Sequence, residues 1–141
     1  MAKYLLDTDI SIFYLRGKYR INTKLKEIIR YNNCFISEIT LAELKYGAEL
    51  SERVEENIRS VNEFASQIGI LPIFNSLDLY AKEKARLKRN GSLIDDFDLL
   101  IGCSSIKNNM VLVTNNEKHF ERIENIEIEN WLSLRSLTTA H

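Results

Sequence analysis

The chain has 141 residues, 45% hydrophobic and 28% charged, which is the size and composition of one globular domain over 1–141 and excludes a mainly disordered chain. Its 19 Lys and Arg against 20 Asp and Glu leave a net charge of −1, so a generally basic nucleic-acid binder is disfavoured, while a local patch or a metal stays open. Five glycines and two isolated cysteines, Cys34 and Cys103, exclude collagen-like and disulfide-framework proteins and predict reduced thiols in a cytoplasmic protein.

Tyr4-Leu5-Leu6 reads as a short buried strand ending at Asp7. Ile10, Phe13 and Tyr14 recur at helical spacing until Gly17. Ile21, Leu25, Ile28 and Ile29 predict a second helix, broken by Asn32-Asn33. Cys34-Phe35-Ile36 is the next strand, followed by Ser37. Thr40 with Glu43 has a capping-box pattern and predicts a helix starting near Thr40. Val54, Val61, Phe64 and Ile68 mark an amphipathic helix closed by Gly69. Ile70 to Phe74 contains Pro72, which fits only an edge strand. Ser76 is a candidate cap for a helix carrying Leu79, Tyr80 and Leu87. Residues 94–106 predict another helix, led by Asp95 and Asp96. Met110 to Val113 is the clearest buried strand, and 126–128 a weak one. The alternation predicts an α/β fold with a mainly parallel sheet flanked by helices on both faces. No apolar stretch is long enough to span a bilayer, and the chain meets Asp7 too early for a signal peptide.

In open α/β sheets ligands bind beyond the carboxyl ends of the strands. That rule singles out Asp7, Thr8 and Asp9, then Ser37, then Thr114, Asn115 and Asn116, with Glu43 and the group Asp95, Asp96 and Asp98 at helix starts. Converging carboxylates repel one another, and a divalent cation relieves that repulsion. An acidic site holding such a cation suits hydrolysis of a phosphodiester. Structural roles stand beside this reading. Asp7 or Asp9 serves equally as a helix cap, Glu43 as the capping-box acid, and Asp95 and Asp96 as partners of a helix dipole. Asp98 is harder to explain structurally, because it abuts Leu99, Leu100 and Ile101. Lys82, Arg86 and Arg89 share one helical face, which reads as a solvated face or as a phosphate-tracking stripe. Arg16, Lys18 and Arg20 form a second small basic group. His119 sits in a charged loop and indicates little.

Four segments carry a resemblance. They are Leu5-Leu6-Asp7-Thr8-Asp9-Ile10, Ser37 through Gly47 with Ala42-Glu43-Leu44 at its centre, Ile94-Asp95-Asp96-Phe97-Asp98-Leu99-Leu100-Ile101, and Leu112-Val113-Thr114-Asn115-Asn116 with Phe120. In their order and spacing the chain resembles the PIN-domain ribonucleases, and among them the VapC-type toxins of bacterial toxin–antitoxin pairs. The resemblance implies a three-layer PIN-like fold. It implies that Asp7, Glu43 and Asp98 hold Mg²⁺ or Mn²⁺ and carry the catalysis, with hydroxyls of Thr8 and Thr114 nearby. Asn116 stands where the family often has a fourth acid, which leaves extra negative charge to Asp96 or Asp95. It further implies an RNA substrate gripped by local basic residues such as Arg16, Lys82, Arg86 and Arg89. A homodimer and a cognate VapB-type antitoxin complete the expectation. Three competing readings are a haloacid-dehalogenase-like phosphatase using Asp7 and Asp9, for which Ser11 departs from the expected residue, a receiver-like phosphoacceptor, for which Lys118 is poorly placed, and a non-catalytic PIN-like RNA-binding module.

Overall fold

The computed structural model describes residues 2–17, 25–27 and 33–132. Its strands are β1 (Tyr4–Leu6), β2 (Cys34–Ser37), β3 (Gly69–Leu71), β4 (Val111–Val113) and β5 (Ile128–Glu129). They form one parallel sheet in the order β3-β2-β1-β4-β5. Central β1 is in register with both neighbours: Leu6 pairs Ile36 of β2 and Val113 of β4. The helices are α1 (Thr8–Leu15), α2 (Glu38–Leu50), α3 (Val54–Gln67), α4 (Leu77–Arg89), α5 (Asp96–Lys107) and the short α6 (Glu117–Phe120).

Adjacent strand residues point to opposite faces, so Leu5 and Leu6 of β1 enter two different cores. Leu6, Ile36 and Val113 pack with Ile10 of α1, Leu44 and Ala48 of α2, and Val61 and Phe64 of α3. On the other face Leu5 and Leu112 pack with Leu87 of α4, Leu99, Ile101 and Cys103 of α5, and Phe120 of α6. Each fully buried Leu or Ile contributes roughly 1.5–3 kcal/mol. This double covering is why the strands are continuous apolar runs instead of alternating ones.

Several local expectations are corrected. The helix expected near Thr40 begins at Glu38 with Ser37 as its cap; the Ser37 hydroxyl accepts the Ile39 N–H at 3.0 Å. Thr40 is fully buried, and Glu43 has no capping role. Ser76 makes no side-chain cap to α4, because a 3₁₀ turn over Phe74–Ser76 leads directly into that helix. The edge strand is confirmed but shifted to Gly69–Leu71. A Cβ at Gly69 would stand 2.4 Å from Cδ1 of Phe35, so glycine is what lets β3 close against β2. The helix led by Asp95 starts at Asp96, with Asp95 as cap, and the last strand lies at Ile128–Glu129. The helix expected over 21–29 lies outside the described residues except for a helical turn at 25–27, where Leu25 is buried. Gly17 ends α1 in the left-handed conformation, as expected of a helix-terminating glycine.

The topology itself locates a cleft. The chain winds from β1 outward through β2 to β3, then returns to the other side of β1 for β4 and β5. The carboxyl ends of β1 and β4 therefore flank the point where the winding reverses, the usual ligand crevice of such sheets.

Candidate active site

Asp7 follows β1, and its backbone N–H donates to the Val113 carbonyl at 2.9 Å, which fixes it at that reversal point. Its side chain caps α1 by accepting the Thr8 N–H at 2.8 Å. The other carboxylate oxygen accepts the Thr114 hydroxyl at 2.8 Å. The capping and site readings of Asp7 thus describe one residue with two roles. Asp7 is only 5% exposed. Burial, with the charges of Asp9 and Asp98 beside it, pushes its pKa up to about 7, against the pull of the Thr114 and Thr8 hydrogen bonds.

Asp9 was expected as a cap or as a phosphatase acid. Its carboxylate accepts the Ile10 N–H at 2.7 Å and, on the other oxygen, the Asn115 N–H at 3.0 Å. It thereby ties the loop after β4 to the start of α1. Burial raises its pKa, while these bonds and the adjacent Asp7 lower it. Asp9 is the member of the acidic group whose contact with the loop after β4 sequence reasoning missed.

Glu43 reaches the site from the second turn of α2. The Thr8 hydroxyl donates to Glu43 Oε1 at 2.7 Å. With that proton committed, the Thr40 hydroxyl, 3.0 Å away, donates to Thr8 Oγ1. Thr40 and Thr8 therefore form a relay that orients Glu43, and this explains a threonine buried where a cap was expected.

Asp98 lies in the first turn of α5 with its side chain 24% exposed. Burial and the charges of Asp95 and Glu43 raise its pKa, opposed by His119. His119 Nδ1 is 3.7 Å from Asp98 Oδ2 and 2.8 Å from Asn116 Nδ2. The histidine dismissed at the sequence level is thus a member of the site. The signal was invisible because 21 residues separate it from Asp98. Asn116 donates its N–H to Thr114 Oγ1 at 2.9 Å, which links it back to Asp7.

Other expected members are engaged elsewhere. Asp96 binds Lys84 at 2.8 Å and the Tyr80 hydroxyl at 2.8 Å, so its charge is matched by α4 instead of adding to the site. Asp95 is spent on capping Phe97 and Asp98. Arg86 is held by the buried Glu83 through two bonds of 2.6 and 2.8 Å and by the Arg122 carbonyl at 2.8 Å. That clasp is structural and removes Arg86 from the proposed basic stripe, leaving Lys82 and Arg89 exposed on α4. Arg16 follows α1 and is exposed; Lys18 and Arg20 lie outside the described residues. Arg16 also lines a cavity of about 220 Å³ between α1, α2 and α3, whose wall includes Ile12, Leu15, Leu44, Val61 and Glu43.

The donor set is all oxygen: Asp7, Asp9, Glu43 and Asp98, with Thr8 and Thr114 supporting. Among the described residues, no three acidic, His or Cys side chains are drawn into a ready ligand cage. Mg²⁺ asks for less, since it keeps several waters and binds directly to one or two carboxylates. Burial first, and neighbouring carboxylates second, raise the pKa of Asp7 and Asp98, and the donor set of carboxylate and hydroxyl oxygens is of the chemical kind that hard divalent cations take.

The PIN domain family matches residues 4–126. Ribonuclease VapC2 of Rickettsia felis is 36% identical over 132 residues, spanning 91% of this chain and 97% of that protein. The tRNA(fMet)-specific endonuclease VapC of Salmonella typhimurium is 34% identical over 139 residues, spanning 93% and 99%. The crystal structure of VapBC2 from Rickettsia felis bound to a promoter DNA fragment superposes with a TM-score of 0.84 at 34% identity, covering 91% of this chain and 98% of that one.

Proposed function

The chain belongs to the PIN-domain family, and on that premise we propose that it is a Mg²⁺- or Mn²⁺-dependent endoribonuclease, the toxin of a VapBC-type toxin–antitoxin pair. The observation that carries this reading is the gathering of Asp7, Asp9, Glu43 and Asp98 at the reversal point of the sheet, where their charges act on one another. Asp7, Glu43 and Asp98 would hold the cation. A divalent ion supplies Lewis-acid stabilisation of charge on the phosphodiester and makes water a stronger nucleophile near neutral pH. The chain's own part is orientation. Thr114 and the Thr8 N–H hold the two oxygens of Asp7, the Thr40–Thr8 relay holds Glu43, and Asp95 caps the turn that presents Asp98. In-line attack by water with O3′ as leaving group gives a 5′-phosphate and a 3′-hydroxyl.

The partners follow the same reading. The substrate is RNA, and exposed Arg16, Lys82 and Arg89 supply local positive charge in a chain of net charge −1. The antitoxin is VapB-type, since the Rickettsia felis structure is a VapBC complex. The cavity between α1, α2 and α3 includes Glu43, so an occupant seated there lies against that one carboxylate of the site. We carry over a homodimer and a cytoplasmic location on the same family basis. No described helix is long and apolar enough to cross a membrane. Family membership sets aside the haloacid-dehalogenase-like phosphatase.

The test is end analysis of RNA treated with antitoxin-free protein. Products that accept ligation through a 5′-phosphate, formed with Mg²⁺ or Mn²⁺ and abolished by EDTA, support the reading. Products carrying a 2′,3′-cyclic phosphate, or cleavage undiminished by EDTA, refute it. Metal binding with intact RNA returns the non-catalytic module.

A further inference from the structure

Three aromatic side chains are exposed among the described residues: Tyr46 at 66%, Phe74 at 82% and Phe97 at 48%. Two of them flank the carboxylates. Phe97 stands next to Asp98 in the first turn of α5, and Tyr46 follows Glu43 by one turn on the same side of α2. The two helices pack together, and the charges of Glu43 and Asp98 act on one another. The topology gives the rings a direction. β2 runs into α2 and α5 returns to β4, so in this parallel sheet both helices begin at the carboxyl end of the strands, where the site lies. Side chains on a helix tilt toward its N-terminus. Both rings therefore lean toward the surface that carries the carboxylates. Neither belongs to a hydrophobic core, so packing of the fold does not account for them.

Charge decides what the rings receive. Asp95, Asp96 and Asp98 surround Phe97 in sequence, and Lys84 is already paired with Asp96. Beside Tyr46 the exposed Lys45 and Glu49 offset one another. Away from the cation, a phosphate backbone gains little from such a surface. The face of an unpaired base gains more, because stacking on an aromatic ring needs no positive charge and tolerates every base. In a chain of net charge −1, stacking supplies affinity that an excess of Lys and Arg would otherwise provide. We propose that Phe97 and Tyr46 stack unpaired RNA bases on either side of the scissile phosphodiester. The proposal rests on the nuclease reading above and assigns the base-binding residues of that site.

The experiment uses the full chain carrying Asp7→Asn, free of antitoxin, so that binding is read without cleavage. Phe97→Ala, Phe97→Leu and Phe97→Trp, and the same three changes at Tyr46, are titrated into a short labelled oligoadenylate over a range of salt. Both rings are exposed, so the variants fold, and circular dichroism verifies it. Each Ala or Leu change weakens binding by roughly 5- to 100-fold, the worth of one stacked base, and each Trp variant binds as the parent does. The slope of affinity against salt stays the same, because no phosphate contact is lost. In chains that retain Asp7, Mn²⁺ affinity is unchanged and kcat/KM on cellular RNA falls by a similar factor. Leu variants that bind as tightly as the parent make the contact merely apolar and overturn the proposal. So does unchanged affinity at either ring, the result expected of rings that serve a protein partner. A parent that binds oligoadenylate no better than an abasic oligomer of equal length overturns it as well. If the parent stacks oligoadenylate in this way yet cleaves no RNA, the nuclease reading fails while the base platform stands. Cleavage untouched by the substitutions keeps the nuclease and overturns the platform.

Discussion

Replacing Asp7 by Asn exchanges a buried charge for a neutral isostere in a place where charge is costly. The shift from 3.8 to about 7 corresponds to roughly 4 kcal/mol of folding stability withheld at high pH, at about 1.4 kcal/mol per unit. The sign follows from linkage. The carboxyl is more basic folded than unfolded, so the penalty is absent below the unfolded pKa, grows as pH rises toward 7, and is complete above it. Asn keeps an oxygen for the Thr8 N–H, and the Thr114 hydroxyl turns to accept from the amide. The metal-free Asn variant is therefore more stable than the parent by roughly 2–4 kcal/mol at pH 8, and by about 1–2 kcal/mol at pH 5. Urea unfolding of EDTA-treated protein at the two pH values, followed by circular dichroism, measures both differences. A variant no more stable than the parent at pH 8, or equally stabilised at both values, refutes the assignment of Asp7 as a strained carboxylate. Added Mn²⁺ then raises the midpoint of the parent and leaves that of the variant nearly unmoved, because only the parent binds.

Thr8→Val removes the donor to Glu43 and lowers cleavage by about 10–100-fold with little change in folding, whereas Thr8→Ser keeps the relay and most of the activity; steady-state kinetics separates the two. Gly69→Ala places a Cβ against the Phe35 ring and destabilises the fold by about 1–3 kcal/mol, read from chemical denaturation. Arg86→Ala strips the buried Glu83 of its paired cation and lowers the thermal midpoint, while RNA affinity stays near that of the parent; a large loss of RNA affinity in folded protein would restore Arg86 to the substrate grip.

What the chain reveals before folding is set by how local the signal is. Apolar triplets ending in polar residues place Asp7 and Thr114 because a strand buried on both faces must end where polarity begins. Asp98 stands out for the same reason, a carboxylate abutting an apolar helix. Local patterns mislead where a second residue competes for the same role. Thr40 and Glu43 have capping-box spacing, yet Ser37 lies at the end of β2 and takes the cap, freeing both for the site. Lys82, Arg86 and Arg89 share a face by period, but a buried Glu83 one turn earlier claims the middle one. Asp9 with Asn115, and His119 with Asp98, join segments 106 and 21 residues apart. No periodicity carries that information; only the reversal of the sheet brings those segments together.

The most direct measurement is cleavage of labelled cellular RNA by antitoxin-free protein, with the Asp7→Asn and Asp98→Asn variants alongside and each reaction run with Mn²⁺ and with EDTA. The expected result is metal-dependent fragments from the parent protein and none from either variant, both of which remain folded. Cleavage that survives in a folded Asp98→Asn or Asp7→Asn protein contradicts a nuclease centred on these carboxylates.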